Sequence, residues 1–279
     1  MEYRPAQRLG GRGTAPHQFR QTLRGVAVEG GGRLHAVGDS GVKVFDPDGA
    51  LLRQWATVQP GECVAVDDEG RVWVGQNEQV EIFSPEGERV DAWRDPGRLG
   101  LVTAVGFGGG DVFLADATAR WIRRYGSDGS FLNNIGDQHR KGGFHIPNGV
   151  VDFAVDDGGV LHVANPGLHR VERYSPDGTL LGRFGRFDGQ DPAGFPGCCN
   201  PTNLTVDGLG RVIVSEKAGP RVKVDDRDGE LLPVGAADVF DHGAKNMDLA
   251  VDAGGRLYVA DTATLEICTF EPTKREATA

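Results

Sequence analysis

The residues with the greatest chemical potential in this sequence are two adjacent cysteines, Cys198 and Cys199, in the stretch GFPGCCNP. Thiolates bind soft metal ions such as Zn, Cu or Fe and take part in redox chemistry. Neighbouring cysteines are poorly spaced to chelate one ion, so at most one of them would act as a ligand, together with a histidine. The pair could instead form a strained vicinal disulfide, or one cysteine could pack as a small apolar residue.

Histidines occur in segments that align with the cysteine-containing stretch. The segments GGFHIPNGVVD, AGFPGCCNPTN and VFDHGAKNMD share a phenylalanine, and each precedes an equivalent copy of a repeated pattern. This alignment places His145 and His242 at loop positions neighbouring Cys198 and Cys199, and His17 precedes the first copy. Imidazoles and thiols act as acids, bases and nucleophiles. We therefore take His145, His242, Cys198 and Cys199 as candidate catalytic residues and His17 as a candidate metal ligand.

The chain that must position these residues consists of six copies of one pattern, seen when GVAVEGGGRLHAVGDSGVKVFDPDGALLRQW is laid over CVAVDDEGRVWVGQNEQVEIFSPEGERVDAW. Each full copy reads as four short alternating runs separated by turn signals, which predicts four antiparallel strands. The turns DPDG, SPEG and SPDG mark tight hairpins between third and fourth strands. Four strands repeated about every 40 to 50 residues are typical of propeller blades. The predicted inner strands start at Val26, Cys63, Val105, Phe153, Leu204 and Leu249.

The two ends of the chain predict how the array closes. The sixth copy stops after its third strand, whereas YRPAQRLGG near the N-terminus resembles the fourth strands GTLLGRFG and GSFLNNIG. An N-terminal strand that completes the last blade would remove two exposed sheet edges. We therefore predict an all-β, six-bladed β-propeller in which residues 1–279 form a single domain.

The repeats resemble a known family. GRLYVADT after LAVD, and HQFRQTLRGVAV before the first copy, are similar to the NHL repeat, and the similarity covers essentially the whole chain. The resemblance implies an NHL-like six-bladed propeller. It selects no function, because propellers host binding scaffolds, lyases, lactonases and oxidoreductases. The NHL-like peptide-amidating lyases bind zinc through histidines two residues before the inner strands, and this sequence has no histidine at those positions, which are Arg24, Gly61, Thr103, Val151, Thr202 and Met247.

Polar side chains directly precede four of the six predicted inner strands, at Glu62, Asp152, Asn203 and Asp248. Carboxylates gathered in one narrow opening would repel one another unless something neutralised them. Oxygen ligands suit Ca²⁺ or Mg²⁺, and the gluconolactonases and paraoxonases, which are related six-bladed families, hold calcium at this place. We predict that these four residues bind a divalent metal ion with His17, its identity open between Ca, Zn and Cu or Fe. The other interpretation is that they bind water or cap neighbouring backbone amides.

Charge and hydropathy restrict the partners. The formal net charge of −10 would repel a phosphate backbone or an anionic membrane surface unless a basic face were segregated, and no such face is visible in the sequence. No run of about 18 apolar residues occurs. We expect a cytoplasmic protein that binds neither nucleic acid nor membranes.

Two functional hypotheses follow. The first is a metal-assisted lyase or hydrolase acting on a small-molecule ligand at the channel mouth, with Glu62, Asp152, Asn203 and Asp248 holding the cation. The second is a non-catalytic scaffold that binds a partner protein or a metabolite through the long loops between blades.

Overall fold

The computed structural model describes residues 2–136, 142–217, 219–226, 229–232 and 239–273. The strands form six four-stranded antiparallel sheets, arranged as the blades of a propeller. The predicted all-β, six-bladed fold is confirmed. Three inner strands start at the predicted residues, which are Cys63, Phe153 and Leu249, and the other three start within three residues of the predicted position. In the described part of the chain the single helical element is a short 3₁₀ turn, Pro166–Leu168, and no helix there has the length and apolarity to cross a membrane.

The first three blades follow one another without interruption. Blade 1 contains β2 (Gly25–Val28), β3 (Leu34–Gly38), β4 (Gly41–Phe45) and β5 (Leu51–Ala56). Blade 2 contains β6 (Cys63–Val66), β7 (Val72–Gly75), β8 (Gln79–Phe83) and β9 (Arg89–Arg94). Blade 3 contains β10 (Val102–Gly108), β11 (Asp111–Asp116), β12 (Trp121–Gly126) and β13 (Phe131–Ile135).

The last three blades repeat the order, except that blade 6 takes its outer strand from the start of the chain. Blade 4 contains β14 (Phe153–Val155), β15 (Leu161–Asn165), β16 (Arg170–Tyr174) and β17 (Leu180–Phe184). Blade 5 contains β18 (Asn203–Val206), β19 (Val212–Glu216), β20 (Arg221–Asp225) and β21 (Leu231–Leu232). Blade 6 contains β22 (Leu249–Val251), β23 (Leu257–Asp261), β24 (Glu266–Thr273) and, as its outer strand, β1 (Glu2–Gly10).

Strand composition follows from position in the blade. The second strands β3, β7, β15, β19 and β23 are buried along their whole length, because neighbouring blades cover both of their faces. The outer strands β5 and β17 instead alternate between partly buried and exposed residues. Six apolar clusters result, each lying between two adjacent blades. Burial of these clusters is the main contribution that holds the blades in a ring.

Glycines let the blades approach each other at their outer edges. Gly87 lies in the turn between β8 and β9, and a Cβ there would lie 2.5 Å from Trp55 in the outer strand of blade 1. A Cβ on Gly229 in blade 5 would likewise collide with Phe184 of blade 4, and a Cβ on Gly49 in blade 1 would collide with Leu9 of β1. These turn glycines also have positive φ, which favours glycine, as shown by Gly49, Gly87, Gly129, Gly178 and Gly229.

The ring closes as predicted. β1 pairs antiparallel with β24, in a register that runs from Glu2 opposite Thr273 to Gly10 opposite Glu266. Leu9 and Tyr3 of β1 are buried. Leu9 packs in the cluster between blades 6 and 1, and Tyr3 packs in the cluster between blades 5 and 6. The N-terminal strand therefore contributes to two blade interfaces besides covering the edge of β24.

Candidate functional site

A cavity of about 420 Å³ opens at the face where the inner strands start, and we call it the mouth cavity. Its lining comes from all six blades, because each connection into an inner strand ends there. The lining residues are Gln21, Thr22, Leu23 and Arg24 from blade 1, Glu62 from blade 2, Thr103 from blade 3, Val150 from blade 4, Asn203 from blade 5, and Gly243, Lys245, Asn246, Asp248 and Thr262 from blade 6.

Three of the four polar residues that precede the inner strands line this cavity: Glu62, Asn203 and Asp248. The fourth, Asp152, lines the central channel, and Asp248 reaches that channel as well. The repeat pattern therefore located the face correctly. It did not show how the carboxylates are oriented, and their contacts decide what they can do.

Asp248 bridges the two blades that close the ring. Its Oδ2 accepts a hydrogen bond from the backbone N–H of Val26 at 2.8 Å. The space for this carboxylate depends on Gly25, where a Cβ would lie 3.1 Å from Oδ2. Desolvation raises the pKa of Asp248 to about 6, although hydrogen bonds from the Val26 and Leu249 backbones oppose the shift. Asp248 therefore changes its charge near neutral pH.

Asp152 makes the corresponding contact between blades 4 and 5. Its Oδ2 accepts the backbone N–H of Leu204 at 2.7 Å. Desolvation raises the pKa of Asp152 well above its usual range, and the charge of Asp248 raises it further. Burial therefore favours the protonated form of Asp152. Both aspartates cap backbone amides of the next blade, which is the second of the two interpretations given above.

The remaining charged groups of the mouth cavity are more exposed. The guanidinium Nε of Arg24 lies 3.6 Å from Oε2 of Glu62, and the two side chains are 51% and 25% exposed. Lys245 is exposed at the cavity rim. The sequence analysis did not select Lys245 or Arg24 as ligand-binding residues. Arg24 directly precedes the inner strand β2 and Lys245 lies in the connection that leads to β22, and this position was the signal that could have found them.

The predicted metal ligands do not converge. Among the residues that the structure describes, no group of three or more His, Cys, Asp and Glu side chains could hold a metal ion. Asp152 and Asp248 each use an oxygen on a backbone amide, Glu62 faces Arg24, and His17 is exposed in the connection between β1 and β2. Glu62, Asp152, Asn203, Asp248 and His17 therefore do not fit a common divalent ion in this arrangement.

The two histidines taken as catalytic candidates are exposed and do not line the mouth cavity. His145 lies against the turn between β15 and β16 of blade 4. Its backbone N–H donates to Oδ1 of Asn165 at 3.2 Å, and its ring packs over Gly167. His242 follows Asp241, whose backbone N–H is held by Oδ2 of Asp261. The structure therefore does not bring either imidazole to the carboxylates, and the same holds for His17.

Cys198 and Cys199 lie on the same face as the mouth cavity, but not in its lining. β18 and β19 are antiparallel, with Asn203 opposite Ser215, so Lys217 just beyond β19 lies at the face where β18 starts. The charge of Lys217 acts on both thiols. Cys63 and Cys268 are buried between blades, as expected for core residues.

Glu216, which precedes Lys217, has a structural role. Its side chain is fully buried, Oε1 lies 2.7 Å from Nζ of Lys223, and Oε2 lies 3.0 Å from a guanidinium nitrogen of Arg221. A buried carboxylate with two cationic partners is satisfied in place and is not available to a ligand. Of the two charged residues in this turn, only Lys217 contacts reactive groups.

His35 and His162 occupy the same register position of their second strands, as expected for residues packed between blades. Nε2 of His162 lies 3.0 Å from Oδ2 of Asp156. Among the described residues neither buried ring nitrogen of His35 has a hydrogen-bond partner, and Nε2 lies 3.9 Å from Oε2 of Glu29. Burial, with the charges of Arg33 and Arg53, lowers the pKa of His35 to about 4.

Acid should destabilise the protein through His35. The unfolded chain binds a proton on this histidine near pH 6.5 and the folded chain only near pH 4, so stability is lost as the pH falls between these values, by up to about 3 kcal/mol. We expect His35→Phe to reduce this loss, since blade 3 has Phe113 at the same register position. Urea unfolding at pH 5 and pH 7.5 measures it. Equal pH dependence in both proteins would contradict the assignment.

The fold and the axial cavity define the protein as a six-bladed β-propeller with a polar site at the channel mouth. No family model and no curated protein matches the sequence. Similar solved structures include a structural genomics protein of unknown function from Bacteroides thetaiotaomicron, with a TM-score of 0.72 and 16% identity, covering 96% of this chain and 76% of that one.

Two further solved structures come from different functional classes. A structure titled streptogramin B lyase has a TM-score of 0.67 and 11% identity, covering 96% of this chain and 97% of that one. The WD40 propeller domain of Doa1 has a TM-score of 0.64 and 14% identity, covering 98% of both chains. At these identities the comparisons establish the propeller fold and leave the function to be argued from the site.

Proposed function

We propose that the protein is an enzyme of the lyase or hydrolase type that acts on a small polar molecule in the mouth cavity, with Asp248 as the group that exchanges a proton with the substrate. The observation that carries the proposal is the position of Asp248. It lines a concave site to which all six blades contribute, and its pKa of about 6 is close to neutral pH. A titratable group shifted toward the working pH inside a pocket is typical of a catalytic acid or base.

The other lining residues support binding of a small, hydrogen-bonding molecule that carries an acidic group. Arg24 and Lys245 supply two positive charges at the rim, where Glu62 lies beside Arg24, and Asp248 is the second carboxylate of the lining, at the start of β22. Asn203 and Asn246 add amide groups, and Val150 is one of the few apolar lining residues. Asn246 is held by Asn148, whose amide Nδ2 donates to its Oδ1 at 3.0 Å. A carboxylate on the substrate would complement this charge distribution.

Proton transfer follows from the difference between the two aspartates. Above pH 6, Asp248 is ionised and accepts a proton from the bound substrate, and the leaving group departs with the electron pair released. The Val26 N–H fixes Oδ2 of Asp248, which positions the carboxylate. Burial raises the pKa of Asp152, which disfavours a second negative charge in the channel. The lyase assignment of one structural neighbour is consistent with such chemistry.

No divalent ion takes part in this proposal, because the predicted ligands do not converge. We also propose that the repeats are NHL-like and that the protein is cytoplasmic. A scaffold that binds a partner protein through its loops is the alternative.

The test is a substrate search that records proton transfer directly. The protein is incubated in D₂O with a panel of small hydroxy acids, amino acids, lactones and carboxylate esters, and proton NMR follows conversion and deuterium uptake. We expect at least one compound to react, with a rate that rises through pH 6 as Asp248 ionises. Asp248→Asn keeps an oxygen for the Val26 N–H and should lower the rate about 10²- to 10⁴-fold.

The matched control is Asp68→Asn, which removes an exposed carboxylate from the turn between β6 and β7 at the opposite end of blade 2. Its rate should equal that of the unchanged protein. A reaction that Asp248→Asn leaves intact would contradict the assigned role of Asp248. Absence of reaction and of any binding-induced line broadening across the panel would favour the scaffold alternative.

A further inference from the structure

The structure points to a second reactive site on the same face, which the proposed function does not use. We propose that Cys198 and Cys199 form a redox-active dithiol, in which Cys198 reacts with hydroperoxides as the nucleophile and Cys199 resolves the product to a reversible vicinal disulfide. Lys217 is the positioning residue, whose positive charge lies beside the reacting sulfur.

The two sulfurs differ in access and in hydrogen bonding. Cys198 is exposed, whereas Cys199 is buried with 3% of its surface accessible. The S–H of Cys199 donates to the Cys198 sulfur, and the two Sγ atoms are 3.1 Å apart. The accessible sulfur of Cys198 is therefore the hydrogen-bond acceptor, and the donor thiol of Cys199 lies directly beside it. This is the asymmetry that a nucleophilic and a resolving cysteine require.

Lys217 completes the site with a positive charge. Lys217 lies in the turn after β19, and its charge acts on both thiols. The hydrogen bond from Cys199 and then the charge of Lys217 lower the pKa of Cys198, whereas burial raises the pKa of Cys199. A nearby cation and exposure are the two conditions that make a cysteine reactive. Cys63 and Cys268 are buried, and burial raises the pKa of each.

The loop that carries the pair is fixed on both sides. Nδ2 of the buried Asn200 donates to the carbonyl of Pro196 at 2.7 Å, and its Oδ1 accepts the backbone N–H of Lys217 at 2.8 Å. Upstream, Phe195 is buried beneath Nζ of Lys223, which lies 3.9 Å from the ring centroid. These contacts keep the cysteines next to Lys217, so the cluster is preorganised.

The reaction balances with a hydroperoxide as oxidant. The Cys198 thiolate attacks the O–O bond, which breaks, and gives a sulfenic acid and the leaving oxyanion, which is hydroxide from hydrogen peroxide and an alkoxide from an organic hydroperoxide. The thiol of Cys199 then attacks the Cys198 sulfur, the S–S bond forms, and water leaves. Two electrons pass from sulfur to the peroxide. The Cα atoms of adjacent residues are about 3.8 Å apart, below the usual range for disulfides, so the bond would be strained and readily reduced by a small thiol.

The test uses hydrogen peroxide on the full-length protein, followed by alkylation and mass spectrometry. We expect a loss of two hydrogens, protection of Cys198 and Cys199 from alkylation, and recovery of both thiols with dithiothreitol. Cys63 and Cys268 are internal controls and should stay unchanged. Cys199→Ser should stop at a sulfenic acid on Cys198 that a dimedone reagent traps, and Cys198→Ser should not form the intramolecular bond or the dimedone adduct.

The role of Lys217 is tested by the rate at which iodoacetamide alkylates Cys198 at pH 7. Lys217→Met should slow this reaction about tenfold and move its pH midpoint upward. Arg4→Gln removes one exposed positive charge from the distant strand β1 and should change neither value. Equal rates in Lys217→Met, or oxidation of Cys198 directly to sulfinic acid while Cys199 stays alkylatable, would overturn the proposal.

Discussion

Deletion of the closing strand β1 should leave a protein that unfolds at much lower denaturant concentration and aggregates, because β24 then becomes an exposed edge. The strand supplies the pairing from Glu2 to Gly10 and buries Tyr3 and Leu9 at two blade interfaces. An unpaired edge strand is a template for association with other chains. Urea unfolding and size-exclusion chromatography measure the two effects.

Single substitutions in β1 give a graded version of this result. Leu9→Ala removes a buried side chain that packs against the turn of blade 1, and it should cost about 2 to 3 kcal/mol. Arg4→Ala, at an exposed position of the same strand, should change the free energy of unfolding by less than about 0.5 kcal/mol. A synthetic peptide of residues 2–10 should partly restore the deleted protein. A deletion variant as stable as the intact chain would show that closure does not depend on β1.

A rise in pH from about 4 to about 7 should destabilise the protein through Asp225 in blade 5. Its side chain is buried, and Oδ2 has no hydrogen-bond partner among the described residues. Burial raises the pKa of Asp225 to about 7, although the charge of Lys223 opposes the shift. The folded state therefore keeps a proton that the unfolded chain has released above pH 4. Stability falls as the pH rises from about 4 to 7, by an upper limit of about 4 kcal/mol.

Asp225→Asn should remove most of this pH dependence and raise the free energy of unfolding at pH 8. The groups that influence Asp225 are Lys223, Glu216 and Asp226, and the substitution leaves all three in place. Urea unfolding between pH 5 and pH 8 provides the measurement, with Asp68→Asn, at an exposed position of blade 2, as the control. A variant less stable than the unchanged protein at pH 8 would show that the ionised carboxylate is satisfied in the fold.

The fold could be predicted because every blade repeats the same local requirements. The hairpin glycines Gly49, Gly87 and Gly178 have positive φ where the sequence has DPDG, SPEG and SPDG. The buried second strands have continuous apolar runs such as VWVG. Closure was also predictable, because YRPAQRLGG resembles the fourth strands that the other blades contain. These signals are local or repeated along the chain, so a single sequence is enough to recognise them.

The candidate site could be predicted only as a location. The position before each inner strand placed Glu62, Asn203 and Asp248 at one cavity. Whether a carboxylate faces a ligand or a backbone amide depends on the neighbouring blade: Asp248 binds the Val26 amide over the side-chain-free Gly25. The loop histidines were placed by alignment with Phe144, Phe195 and Phe240, which fixes where the loops are anchored and not where the exposed residues beyond them lie.

The pairing of β1 with β24 has a consequence for synthesis on the ribosome. β1 is among the first segments of this sequence to be translated, and its partner β24 follows some 250 residues later. Throughout elongation the nascent chain therefore holds Tyr3 and Leu9 without their final neighbours, while earlier blades can already fold. At about 5 to 20 residues per second this interval lasts on the order of 10 to 50 seconds. Cellular yield should therefore depend on chaperones that shield this segment during that delay.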